Sequence, residues 1–135
     1  MKNQLIPYQK RDGTCPVDEF IDSLNQKDSA KVLRAMLILE ELGLRAGAPL
    51  VKHLQDGIFE LRVKQSSNIQ RIMLFHWFQG NLILLHGFTK KTQKTPSSEL
   101  ERAKRYRADF LIRYAKEQIQ DYLVEITERR GTNHE

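Results

Sequence analysis

Cross-links are the first thing this chain lacks, because its lone cysteine, Cys15, has no partner for an internal disulfide. Met1 to Lys10 shows no charged n-region followed by an apolar h-region, so the expected setting is the reducing cytoplasm. Long apolar runs are missing too. The longest, Ile72 to Phe78 and Leu82 to Leu85, are of strand length and fall far below the roughly 20 residues of a membrane helix. No membrane association is expected. Cofactor and metal motifs are absent: there is no glycine-rich phosphate loop, no His-Glu-x-x-His and no cysteine pair. The histidines His53, His76, His86 and His134 lack ligand spacing, and Cys15 stands at a helix start with no identifiable base. The reading therefore expects no cofactor, no metal and no nucleophilic triad.

What is present suits a single packed domain. At 135 residues, with 40% hydrophobic and 29% charged residues, the chain can bury one core. One domain over 1–127 and a flexible polar tail over 128–135 are expected. The net charge of +5 is modest, but it is not evenly spread. Between His86 and Arg107 stand seven Lys/Arg against two Glu, while the rest of the chain balances 15 against 15. Surplus cations concentrated on a neutral scaffold suit a polyanion, whose phosphates release condensed counterions on binding; the plainer alternative is a solvated face.

Periodicity predicts an α+β order. Gln4 to Gln9 reads as a first strand. Pro16 opens a helix with Asp18 and Glu19 in its first turn and the stripe Val17, Phe20, Ile21, Leu24. Asp28 is the expected cap of a second helix, with Val32, Leu33, Met36, Leu37 and Leu39 inward and Gly43 as its stop. Two short helices in succession suggest an αα-hairpin. Leu44 to Gly57 has no period and is read as a connector. Phe59, Leu61 and Val63 alternate with Glu60, Arg62 and Lys64, which places the charged trio together on the opposite strand face. With Ile69 to Phe78 and Leu82 to Phe88 this run forms a three-strand antiparallel meander, whose later two strands, apolar on both faces, belong at the sheet centre. Thr95 as cap and Pro96 at the first position open a long last helix, striped by Leu100, Ala103, Phe110, Leu111, Tyr114, Ile119, Tyr122 and Ile126.

The residues left for chemistry form a cationic set. Arg62 and Arg71 project from neighbouring strands, and Lys90, Lys91 and Lys94 follow the last one. Such a set suits RNA transesterification, in which a 2′-hydroxyl attacks the adjacent phosphate and guanidinium groups stabilise the crowded dianion. Proton transfer then falls to His86 or a lysine among Lys90, Lys91 and Lys94, if burial or neighbouring cations lower a lysine's pKa. Alternatives stand beside each assignment. Arg62 can simply pair with Glu60, Arg71 needs either a structural carboxylate or a site to serve, and His76 and His86 can be core histidines. Trp77 and Phe88 can be core residues, although an exposed Phe88 beside lysines would stack a base. Lys64, Arg102 and Arg105 add charge around the set, and Lys52 with His53 lies at its expected rim.

Four segments carry a resemblance: Phe59-Glu60-Leu61-Arg62, Arg71 within Ile69 to Phe75, the run Leu84 to Pro96, and Glu101-Arg102-Ala103. Over about residues 5 to 110 the chain resembles the RelE/ParE toxin superfamily, in its HigB-like, phage-derived branch. The resemblance implies a RelE-like, microbial-ribonuclease-type fold and metal-independent cleavage of messenger RNA on the ribosome. It implies a cognate helix-turn-helix antitoxin as partner, with operator DNA met only through that complex. By position, Arg62 and Arg71 match the family's phosphate-holding strand cations, and Lys91, with Lys90 beside it, matches the basic position after the last strand. His86 lies in the branch's own motif. The run past Arg107 departs from shorter relatives, and neither Tyr106 nor Tyr114 aligns with their C-terminal catalytic position. Two other readings remain at this point: a ParE-like protein that inhibits gyrase by contact alone, and an RNA-binding module without cleavage.

Overall fold

Strict alternation along residues 58–65 sends side chains to both faces of a sheet, and both faces are covered. The computed structural model describes residues 3–114 and 124–128. Its elements are β1 (Gln4–Pro7), α1 (Pro16–Ser23), α2 (Gln26–Leu42), a 3-10 turn (Gly43–Ala46), β2 (Val51–His53), β3 (Ile58–Gln65), β4 (Asn68–His76), β5 (Asn81–Lys90) and α3 (Ser97–Arg113). The strand order is β1-β5-β4-β3-β2, with β1 parallel to β5 and the other pairs antiparallel. The fold is thus α+β around a five-stranded mixed sheet, compatible with a RelE-like arrangement. Among the described residues no helix is long and apolar enough to cross a membrane.

Each sheet face has its own core. Leu61, Val63, Ile72, Leu74, Leu82 and Leu84 pack under α1 and α2 with Val17, Val32 and Leu39. On the other face Ile58, Met73, Phe75, Ile83 and Leu85 pack under α3 with Leu100, Ala103 and Phe110. The expected central position of the two later meander strands is found, since β4 is the middle strand and β5 lies between it and β1. Double coverage explains their unbroken apolar character. A register shift between Met73 and Leu74 leaves Leu85 without a cross-strand partner on β4.

Several expectations need correction. The cap of α2 is Asn25, whose Oδ1 accepts from the Asp28 amide at 2.8 Å, so Asp28 sits in the first turn. Leu33 and Leu37 are 48% and 62% exposed rather than inward, and Ala35 takes an inward place instead. The apolar positions of α2 span more than one face, which periodicity alone did not resolve. The connector contains an edge strand, β2, paired to β3 from Val51↔Leu61 to His53↔Phe59. Helix α3 begins at Ser97, with Pro96 as its cap and no side-chain capping bond. Thr95 does not cap, because its hydroxyl donates to the buried Glu60 carboxylate at 2.8 Å. At Tyr114 the backbone turns extended, which ends the helix that the stripe had carried on to Ile126. Ile126 does reach the α3-side core, within a helical stretch over 124–128. Ile119, Tyr122 and all of the expected tail except Glu128 lie outside the described residues.

Candidate functional site

Directly opposed residues of an antiparallel sheet share a face, and three cross-strand rows on the α3 face define the site. Glu60, Met73 and His86 form one row, Arg62, Arg71 and Phe88 the next, and Lys64, Ile69 and Lys90 the outermost. Helix α3 packs over the apolar part of this face. Beyond its N-terminus the chain from Lys91 to Pro96 returns across the middle row as a strap.

Arg71 is fully buried. Its guanidinium donates to the backbone carbonyls of Thr92 and Lys94, lies 5.7 Å from the Phe88 ring centre, and leaves Nε without a hydrogen-bond partner among the described residues. Burial lowers its pKa, a fall that Glu60 opposes and Arg62 reinforces, yet an arginine remains charged throughout the working range. Arg62 donates from Nε to Glu60 Oε1 at 2.5 Å and from its terminal nitrogens to the Gln93 carbonyl and side chain. The other Glu60 oxygen accepts from Thr95. Two guanidinium groups therefore share one buried carboxylate, and peptide carbonyls of the strap supply the remaining acceptors. The arrangement holds a surplus positive charge under a cover of neutral oxygens.

The structure gathers most, not all, of the residues singled out from sequence. Arg62 and Arg71 are together, Lys64 and Lys90 flank them, and Lys91 and Lys94 stand exposed on the strap. Lys52 and His53 line a hollow of about 470 Å³ with Gln93, Lys94 and Thr95, and the His53 ring packs 4.9 Å from that of Phe59. A second hollow of about 260 Å³ is lined by Pro49, Leu50, Arg62, Lys64, Ile69 and Gln93. Arg62 does pair with Glu60, the plainer of its two sequence alternatives, while Arg71 rests on carbonyls and not on a carboxylate of its own.

His86, Phe88, Arg102 and Arg105 are placed differently. His86 is buried beneath α3 and opens on a separate hollow of about 360 Å³ lined also by Lys10, Glu19, Arg102 and Tyr106. Desolvation, then the charges of Arg102 and Arg105, lower its pKa to about 4. Neither ring nitrogen is hydrogen-bonded among the described residues, and the Glu99 carboxylate 3.4 Å from Nε2 is a contact without bonding geometry. His86 is thus a neutral core imidazole at physiological pH, one row in from the arginines, with its ring stacked 5.9 Å from that of Phe88. Phe88 is buried against Arg71 and offers no face to a base. Arg102 and Arg105 are exposed on α3, with Arg102 3.5 Å from Glu99.

Sequence reasoning missed Gln93 and Thr95 as partners of the buried charges. A backbone carbonyl carries no signal in the residue type, so only the hydroxyl and the amide of these two residues were there to be noticed. Among the described residues no group of three His, Cys, Asp or Glu can hold a metal ion.

Comparison with known proteins agrees with this geometry at the level of family. No curated protein matches the chain. The model of the phage-derived Gp49-like proteins (DUF891), a family of the RelE-like toxin kind, matches residues 19–108, from α1 into α3. That span is more than half of the chain and holds all three rows of the site, and the chain belongs to the Gp49-like family.

Proposed function

We propose that this protein is the toxin of a type II toxin-antitoxin pair, of the HigB-like branch, and that it cleaves messenger RNA on the ribosome. The supporting observation is the pair of fully buried Arg71 and partly buried Arg62, which carries more positive charge than Glu60 neutralises and satisfies the surplus with replaceable carbonyl oxygens. A phosphodiester presents the same oxygens with a full negative charge, and charge-assisted hydrogen bonds are about twice as strong as neutral ones. In the reaction a 2′-oxygen attacks the adjacent phosphorus, the bond to the 5′-oxygen breaks, and a 2′,3′-cyclic phosphate and a 5′-hydroxyl result. Arg62 and Arg71 hold the non-bridging oxygens as charge builds in the transition state. The proton lost by the 2′-hydroxyl and the one gained by the leaving oxygen fall to Lys91 and its neighbours Lys90 and Lys94, since His86 is buried and neutral elsewhere. A catalyst that takes its substrate geometry from the ribosome needs positioned cations more than a strong base. The implied partner is a cognate helix-turn-helix antitoxin in the cytoplasm, through which operator DNA is met indirectly.

The test is induced expression with mapping of messenger RNA 5′ ends. Codon-phased cuts in the wild type that vanish with Arg71→Ala are expected, and cuts that persist overturn the assignment. A second reading, growth arrest through protein contact as in ParE-like gyrase inhibitors, is favoured by the exposed apolar residues Leu33, Leu37, Ile38 and Leu42 on α2. It predicts arrest undiminished by alanine at Arg62, Arg71 and Lys91.

A further inference from the structure

The strap over the arginine row consists of Lys91, Thr92, Gln93, Lys94 and Thr95, all polar, the first four with exposed side chains. Its tie to the sheet is a set of acceptors and one hydroxyl: the carbonyls of Thr92, Gln93 and Lys94, the Gln93 Oε1, and the Thr95 Oγ on Glu60. Opening it frees the Arg62 and Arg71 donors, whose carbonyl acceptors the oxygens of an incoming anion replace, and gives up the Thr95 hydroxyl bond to Glu60. Gln93 is also the shared wall of two hollows, lining both the one beside Lys52 and His53 and the one beside Lys64.

We infer that the strap at Thr92–Thr95 is a gate, and that its withdrawal joins the two hollows into one cleft that binds single-stranded RNA. The inference rests on the nuclease reading and deepens it by naming how the site is reached. With Gln93 withdrawn, Lys52 and His53 stand at one end, Arg62 with Arg71 on the floor, and Lys64 at the other end. A row of cations along a cleft, with phosphate oxygens taking over from strap carbonyls at its centre, tracks one backbone. The strap lysines Lys91 and Lys94 move with the gate and meet the strand from its solvent side. In the closed state the protein is self-occluded, and apparent affinity is reduced by the fraction of time the gate is shut.

The test uses a 2′-O-methylated RNA of about six nucleotides, which binds but is not cleaved, with the full chain at low salt. Gln93→Ala with Thr95→Val removes the two side-chain ties of the gate, to Arg62 and to Glu60, while keeping every cation, and its folding is checked by thermal unfolding. The double variant is expected to bind the oligonucleotide more tightly than the wild type by on the order of 5- to 10-fold. Equal or weaker binding by the folded variant overturns the gate, as does no binding by either protein. A second measurement uses the wild type alone: the Arg71 Nε–H resonance is expected to shift on adding the oligonucleotide. Binding that leaves that resonance unmoved shows RNA seated over a closed strap and overturns the inference. Because the probe is not cleavable, these readouts are independent of catalysis. Loss of cuts in Arg71→Ala with unchanged affinity in the strap variant sinks the gate alone, whereas persistent cuts sink the nuclease reading.

Discussion

Glu60 is the residue on which the two arginines depend, since its two oxygens serve Arg62 and Thr95 within a fully buried position. Replacing it by alanine leaves the fully buried Arg71 and the partly buried Arg62 without their shared counter-charge. We expect Glu60→Ala to lower unfolding free energy by roughly 3 to 5 kcal/mol in urea titration. Lys91→Ala should behave in the opposite manner. The side chain is exposed, so stability should change by no more than about 0.5 kcal/mol, while RNA cleavage under the proposed reading should fall by roughly a hundredfold or more. His86 supplies a pH dependence with a definite sign. Its folded pKa of about 4 lies below the ordinary imidazole value of 6.5, so the unfolded chain binds the extra proton between those limits. Stability from this residue is complete above pH 6.5, declines as pH falls towards 4, and is level below that. The loss is on the order of 3 kcal/mol, and His86→Phe should remove this component from the pH profile of thermal unfolding. At this scale the sequence showed which residues carry charge, and it left open that Arg62 pairs with Glu60. It could not show that Arg71 rests on backbone oxygens, because every residue type has them.

Elements tell a different story about the His-Gly-Phe run of β5. Gly87 faces α1, and a Cβ there would overlap the Phe20 ring, so the glycine is required by helix packing and not by the chemistry of its neighbours. Gly87→Ala should cost roughly 1 to 3 kcal/mol through forced displacement of α1. Combining it with Phe20→Ala should recover part of that loss in a double-mutant cycle, because the two positions share one space. Element boundaries were legible where a local rule acts alone, as at Pro16 for α1 and Gly43 for the end of α2. They failed where a tertiary partner outbids the local rule. Thr95 has the residue type of a helix cap, yet the buried Glu60 carboxylate draws its hydroxyl away and the helix opens two residues later. Strand β2 was read as connector because an edge strand of three residues is too short to show a period.

For the whole molecule, charge and topology act together. Local charge surplus along β5, the strap and α3 predicts that RNA binding weakens steeply with salt, with a log-log slope near minus 0.7 for each phosphate contacted in single strands. Removing Lys64 or Lys90, at the rim of the site, should reduce that slope by roughly one contact each, while Arg105→Ala, out on α3, should change it little. A slope indifferent to Lys64 and Lys90 would place the RNA elsewhere. The residue pattern alone determined the fold class, the meander with its central strands, the two helices before it, and the presence of cations on facing strands. Those properties follow from the two-residue period of strands, the 3.6-residue period of helices and the alternation of side chains, all of which are local. Tertiary structure alone decided which cations share a hollow, that His86 opens on another one, that Phe88 is buried against Arg71, and that a polar strap crosses the arginines. Burial, pairing and desolvation depend on which distant segments meet, and a one-dimensional pattern does not contain that information.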